Sequence, residues 1–443
     1  MKLAINGGSP VRKKLFPGYN YIGAEEKAEV MRVLDSGVLS QFLGCWHADF
    51  YGGPEVRTLE KEWAEYFGAK HAISVNSCTS GLICAVGATG VEPGEEIIVT
   101  PYSMCISAAA PLFYNAVPVF ADVEEDYYCL DADSIEKRIT PRTRAILVVD
   151  LFGMPYDAQR INAIAKKHGL IVIEDTAQAP GALNNGKYTG TLGHMGVHSL
   201  NYHKHIHSGE GGVILTNDDK LAEKVQLIRN HGEAVVEKKG TKDIVNIIGY
   251  NFRMTEMEAA VARCQLRKLK KLLSDRQDNC AYLNEKLGQV PGIVPTKLRK
   301  GCTHSYYVHP LKYKEEVTGV PRNVFIDAVR AELAPLALRE GEGVKITSGY
   351  CRPLYLQPIF QKKIAYGSKG CPFTKPWYEG SVSYDKGICP TVERLFEKEL
   401  FIHEMISPPM TREDLNDVVK AFEKVYENRE ELMQKAAGKE TVR

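Results

Sequence analysis

Ile171-Val172-Ile173-Glu174-Asp175-Thr176-Ala177-Gln178 begins as a continuous apolar run and ends abruptly in two carboxylates. A run without polar alternation suits a strand covered by helices on both faces, as in the middle of a parallel sheet. In open α/β sheets ligands gather beyond the carboxyl ends of the strands, so Asp175 is placed to meet one. Capping a following helix is the ordinary alternative use of such a carboxylate. Outward from 170–173, six further β-rich runs at 71–75, 96–99, 117–121, 145–149, 196–200 and 212–216 alternate with helix-like stretches such as 134–137 and 158–168. That alternation predicts an α/β domain on a mixed, mostly parallel seven-stranded sheet.

At 443 residues the chain exceeds one ordinary core, and the expectation is a large domain over 1–265 and a smaller α+β domain over 266–443. A long helical segment at 255–287 reads as the bridge between them. Hydrophobic residues at 44% and charged residues at 25% are ordinary for a globular protein and argue against extensive disorder. A net charge of +1 gives no field for collecting nucleic acid or an anionic membrane, so a small-molecule substrate is expected. None of the 11 cysteines forms a Cys-x-x-Cys pair, which fits a reducing compartment. The opening residues reach Gly7-Gly8 before an apolar signal segment can form, and no run of about 18 apolar residues follows. A cytoplasmic protein is expected.

Three segments fall outside the α/β pattern. A helix at 24–35 precedes an aromatic loop at 41–54, whose Phe42, Trp46, Phe50 and Tyr51 are expected to pack on something, a partner subunit included. Residues 341–390 are rich in Gly, Pro and Tyr and irregular, and so long a loop suggests part of a substrate site. An amphipathic helix is expected at 412–434, followed by a charged end.

Two more stretches carry chemistry. In Ser199-Leu200-Asn201-Tyr202-His203-Lys204, followed by Gly209-Glu210-Gly211-Gly212, Lys204 lies between two expected strands with no acidic neighbour before Glu210. A lysine that forms a Schiff base must attack unprotonated, which calls for such a desolvated place; a surface lysine is the plain alternative. In Ser74-Val75-Asn76-Ser77-Cys78-Thr79-Ser80-Gly81, a strand passes into a helix through small polar residues. Free N–H groups at that helix start suit a phosphate, or serve only as an ordinary cap.

Taken in order, these motifs resemble the DegT/StrS family of pyridoxal-phosphate (PLP)-dependent sugar aminotransferases. The family's Asp-x-Ala-Gln is met at 175–178, and its Ser-Phe-x-x-x-Lys with Gly-Glu-Gly-Gly at 199–212, where Leu200 replaces Phe. Its Gly-x-Asn-x-Arg is met by Gly249-Tyr250-Asn251-Phe252-Arg253. The likeness extends from Leu3-Ala4-Ile5-Asn6-Gly7-Gly8 to Cys389-Pro390-Thr391-Val392-Glu393-Arg394. It implies the fold type I architecture of PLP-dependent transferases and an amino group moved from glutamate or glutamine to a keto-sugar or keto-cyclitol. It also implies a homodimer with shared active sites. Lys204 would hold PLP as a Schiff base and move the proton, Asp175 would pair with the pyridine nitrogen, and Gln178 would approach the ring. Cys78, Thr79 and Ser199 would hold the phosphate, joined by Asn251 from the neighbouring subunit.

The chain departs from the family pattern in places. Cys78 stands where Gly is common, and Met104 stands where an aromatic stacks on the cofactor, leaving either Met104 or Tyr102 for that contact. His203, His205 and His207 would share one face of a strand, but no carboxylate or cysteine completes a metal spacing, and no metal is expected. His304, Tyr306 and Trp46 are candidate acceptor contacts, because histidine and ordered aromatics suit sugar faces. The rival readings are a PLP-dependent sugar dehydratase, a branch that replaces the lysine with histidine, and a non-catalytic PLP-binding regulatory protein.

Overall fold

The computed structural model describes residues 2–433. Seven strands form the large sheet: β1 His71–Val75, β2 Glu96–Val99, β3 Val117–Phe120, β4 Thr143–Val149, β5 Ile171–Asp175, β6 Met195–Ser199 and β7 Gly212–Thr216. In space their order is β1-β7-β6-β5-β4-β2-β3. The pairs β3–β2, β2–β4, β4–β5 and β5–β6 are parallel, whereas β7 runs antiparallel to both β6 and β1. β5 is the central strand, and Val172 to Asp175 are all buried. The continuous apolar run thus marks a strand with no solvent face.

This topology decides where the strand ends meet. The parallel strands all finish at one edge, and β1 is parallel to β6 because β7 lies antiparallel between them. The segments after Val75, Val99, Asp175 and Ser199 therefore open at that edge, while Gly212 starts β7 there, paired with both Val75 and Ser199.

The helices begin with α1 Ala24–Ser36, α2 Pro54–Phe67 and α3 Cys78–Ala88. α3 is buried from Ser80 to Ala88, so a helix apolar all round lies inside the core. α4 Ala158–His168 and α5 Asp219–Arg229 flank the sheet, and the stretch expected at 134–137 is a helical turn over Ala132–Glu136. α6 Glu256–Leu287 starts at a capping box between Thr255 and Glu258. Its first half packs Ala259, Leu266 and Leu269 beside Trp63 and Phe67 of α2. Its last turns place Cys280, Leu283 and Leu287 in a second core, so one helix serves both bodies.

That second core lies under an antiparallel sheet of β8 Ile293–Val294, β9 His309–Tyr313, β10 Ile346–Ser348 and β11 Leu400–His403, ordered β8-β9-β11-β10. α7 Arg322–Ala331 and α8 Arg412–Glu427 cover it with Phe325 and Phe422. The chain crosses the division expected at 265/266 twice. Leu3 and Phe16 join the smaller core, and Leu354, Tyr355, Phe360, Tyr378 and Tyr384 join the larger one. Parts of the irregular 341–390 segment are therefore core: Tyr378 donates to Glu96 Oε1 at 2.6 Å and Tyr384 to the Pro118 carbonyl at 2.8 Å. In the aromatic loop Phe42 and Phe50 are buried by this chain itself. Gln434 and residues 435–443 of the expected tail lie outside the described residues. Among those described, no helix is long and apolar enough to cross a membrane.

Candidate active site

At the edge where the strands finish lies a cavity of about 310 Å³, lined among others by Cys78, Thr79, Met104, Asp175, Gln178, Ser199 and Lys204. Each wall follows from a strand end. Cys78 and Thr79 form the first turn of α3, capped by Ser77, whose hydroxyl accepts from Ser80 N–H at 3.0 Å. Such a turn leaves its leading N–H groups without helical partners, a place suited to an anion. Gly212 is required here, since a Cβ on it would lie 2.8 Å from the Cys78 nitrogen.

Asp175, 4% exposed, is fixed at both oxygens: Oδ2 accepts from Ser107 Oγ at 2.8 Å and Oδ1 from Ala177 N–H at 3.1 Å. Burial raises its carboxyl above the ordinary range, opposed by the Ser107 and Ala177 hydrogen bonds and by the charge of Lys204. The site thus holds a carboxylate short of a positive partner. Gln178 is locked by Phe152 N–H donating to its Oε1 at 2.8 Å and by its own Nε2 donating to Tyr350 Oη at 3.1 Å. Lys204 is 8% exposed, and its backbone N–H donates to Asn201 O at 2.9 Å in a tight turn. Its Nζ stands 4.1 Å from the centroid of the Tyr307 ring. Burial, and then the charge of Asp175, push the Cys78 thiol well up, with Lys204 opposing.

Met104 is 58% exposed at this cavity, whereas Tyr102 is fully buried against Phe152 and Tyr350. Of the two candidates for stacking, only Met104 faces the space. Asn251 is exposed outside this cavity, its Oδ1 accepting from Arg253 Nε at 2.7 Å.

The acceptor contacts need correction. His304 and Tyr306 are 2% and 4% exposed and stack on each other at 4.0 Å, away from the cavity. The residue that lines it is Tyr307. Tyr306 adopts φ +52°, a left-handed turn that reverses which side chains of this segment face inward. Burial lowers His304 to about 3, so it is a neutral packing residue. Trp46 stands beside Phe50 and Tyr51, outside this chain's cavity.

The three histidines near Lys204 do not share a face, because residues 201–208 form turns and bends instead of a strand. His203 reaches the cavity, His205 is buried with Nε2 2.9 Å from the Ser305 carbonyl, and His207 is half-buried elsewhere. Among the described residues no three His, Cys, Asp or Glu side chains are grouped to hold a metal ion.

Ser107, Tyr307 and Tyr350 are residues of this site that motif reading did not find. On the sheet's other face Glu174 and Asp150 form a buried carboxyl pair. Glu174 accepts three backbone N–H bonds, from Gly190, Leu192 and Gly193. Asp150 accepts one, from Tyr156 at 2.9 Å, and burial followed by the charge of Glu174 pushes its carboxyl far up. Asp150 is therefore the member pushed further toward its protonated form.

Comparison with known proteins accords with this geometry. The model of the DegT/DnrJ/EryC1/StrS aminotransferase family matches residues 20–386. An L-glutamine:2-deoxy-scyllo-inosose aminotransferase of Streptomyces kanamyceticus is 30% identical over 443 residues, covering 97% of each chain. A GDP-perosamine synthase of Caulobacter vibrioides is 36% identical over 63% of this chain and 75% of its own. The solved structure of an aminotransferase from Psychrobacter cryohalolentis superposes with a TM-score of 0.76 at 27% identity, over 93% of this chain and 99% of its own. With a buried carboxylate, a buried lysine and an open helix start in one cavity, and the family's model matched from residue 20 to 386, the chain belongs to the DegT/DnrJ/EryC1/StrS family of PLP-dependent aminotransferases.

Proposed function

We propose that the chain moves an amino group from glutamate or glutamine to a keto-sugar or keto-cyclitol, acting as a cytoplasmic homodimer. The observation that carries this reading is the convergence of Lys204, Asp175 and the first turn of α3 on one cavity. The donor set fits PLP by its chemistry. A helix start suits the phosphate, a buried carboxylate lacking a positive partner suits a protonated ring nitrogen, and a shielded amine suits the aldehyde. When bound, PLP supplies an electron sink for the electron pair left as the donor's Cα–H bond breaks.

The remaining work falls to the chain's own residues. Lys204 Nζ would hold the cofactor, then accept the donor's α-proton and return it as the acceptor is aminated. Ser107 and Ala177 N–H keep the Asp175 carboxylate aimed, and Gln178, locked by Phe152 and Tyr350, forms a fixed wall. Cys78, Thr79 and Ser199 would receive the phosphate and Met104 would cover the ring. Asn251, exposed on its own chain, would complete the partner's phosphate site.

The test is transfer of label. Purified protein loaded with PLP is given amide- or α-¹⁵N-labelled glutamine, or ¹⁵N-glutamate, with a panel of free keto-cyclitols and nucleotide-linked keto-sugars. The reading expects α-¹⁵N in one aminated product; no label in any acceptor counts against it.

A further inference from the structure

We propose that Tyr307 is a positioning residue for Lys204: the face of its ring receives and orients the ammonium that forms once the freed lysine has taken up a proton. The inference rests on the amino-transfer reading and assigns a task that none of the residues named above performs. In that reading Lys204 is repeatedly freed and must carry a proton inside a cavity that shields it from water. A buried ammonium needs a partner. The structure gives Nζ no ion pair among the described residues. The groups facing it are Asp175 and Cys78 across the cavity and its own neighbour His205, and Asp175 is already engaged by Ser107 and Ala177.

Against Nζ stands the Tyr307 ring, its centroid 4.1 Å away, within the range of cation–π attraction. The backbone of Tyr307 is braced on both sides. Tyr307 N–H donates to the Phe152 carbonyl at 2.8 Å, and the Tyr307 carbonyl accepts from Arg276 Nη1 of α6 at 3.2 Å. Arg276 is itself anchored to Ser407 Oγ at 3.0 Å. The backbone that carries the ring is thus fixed beside the lysine. A ring face also differs from a carboxylate in kind, since it favours the charged amine over the neutral one without offering an oxygen to take its proton. An amine held this way can leave for the cofactor at little cost.

The experiment is competitive trace acetylation of the full-length protein freed of cofactor, with Lys204 labelling compared by mass spectrometry against exposed Lys187. The ratio at pH 7 divided by the ratio on the high-pH plateau, where neither labelling rate rises further with pH, cancels any change in access. Tyr307→Leu is expected to raise this quotient about 2- to 30-fold, the range of a desolvated cation–π contact, while Tyr307→Phe leaves it near wild type. Should the leucine variant misfold, phenylalanines of increasing ring fluorination at position 307 keep the volume and are expected to raise the quotient stepwise. A quotient unchanged by leucine and by fluorination overturns the assignment. That outcome is distinguishable from failure of the amino-transfer reading, which shows separately as a PLP-loaded protein that responds to neither amino donor.

Discussion

Ser107→Ala removes one hydroxyl and leaves the cavity walls in place. The hydroxyl donates to Asp175 Oδ2 at 2.8 Å, and among the described residues the carboxylate, 4% exposed, has one other donor, Ala177 N–H at 3.1 Å. A hydrogen bond to a charged group contributes about 1.5–3 kcal/mol, and water has little room to replace this one. If the ionised Asp175 stabilises the reacting cofactor, kcat/KM should fall about 10- to 150-fold. Burial already raises the Asp175 carboxyl and the Ser107 bond is the first influence opposing it, so its loss raises the carboxyl further. The acid limb of the kcat/KM profile should move to higher pH. For stability the sign is the same: a carboxyl raised on folding costs stability as pH rises through its folded titration, and Ser107→Ala should deepen that loss. Stopped-flow half-reactions from pH 5 to 9 with thermal melts at each pH measure both effects, and Ser107→Thr, which keeps the hydroxyl, serves as control. An alanine variant with an unmoved acid limb and less than a threefold drop in rate would falsify the role given to the Ser107–Asp175 bond.

Three further outcomes are expected. Asp150→Asn replaces a carboxyl that burial and Glu174 push far up; because the unfolded carboxyl ionises above about pH 4, the variant should change the melting temperature little near pH 4 and raise it increasingly toward pH 9. A variant equally destabilised at both pH values would contradict a raised Asp150 carboxyl. Gly212→Ala puts a Cβ 2.8 Å from the Cys78 nitrogen and should weaken PLP binding more than tenfold, read by equilibrium dialysis; wild-type affinity would remove the helix start from the phosphate site. Separately inactive Lys204→Ala and Asn251→Ala chains, unfolded and refolded together, should recover about a quarter of wild-type activity if sites are shared across a dimer; no recovery would place Asn251 elsewhere.

The strands were legible because their physics is local. Runs such as 145–149 and 170–173 are apolar throughout, and the observed strands differ from the expected runs by two residues at most at either end. Cys78, Met104, Asp175, Ser199 and Lys204 meet because each closely follows or ends a strand that finishes at the same edge. Parallel pairing turns their sequence positions into proximity. The contribution of Tyr307 was hidden, since the positive φ of Tyr306 shifts the inward face by one residue and leaves no trace in composition. Ser107 did carry a faint signal, four residues after Ser103 and 3.2 Å from it through their hydroxyls, one helical turn apart. The histidine face failed because strand periodicity was applied to a segment closed by turns, where Ser208 N–H donates back to the Leu200 carbonyl at 3.0 Å. In 341–390, Tyr350 and Cys351 do reach the site, through Gln178 and the Ser103 carbonyl, while Tyr355, Tyr378 and Tyr384 further along were free to become core.

The most direct measurement of the central claim is the absorbance spectrum of the purified protein loaded with PLP. It is recorded before and after excess L-glutamate or L-glutamine, on wild type and on Lys204→Ala. The account predicts a visible or near-visible band in wild type that one donor converts to shorter wavelength, and neither that band nor the conversion in the variant. A Lys204→Ala protein that still shows the band and its donor-driven conversion would contradict it.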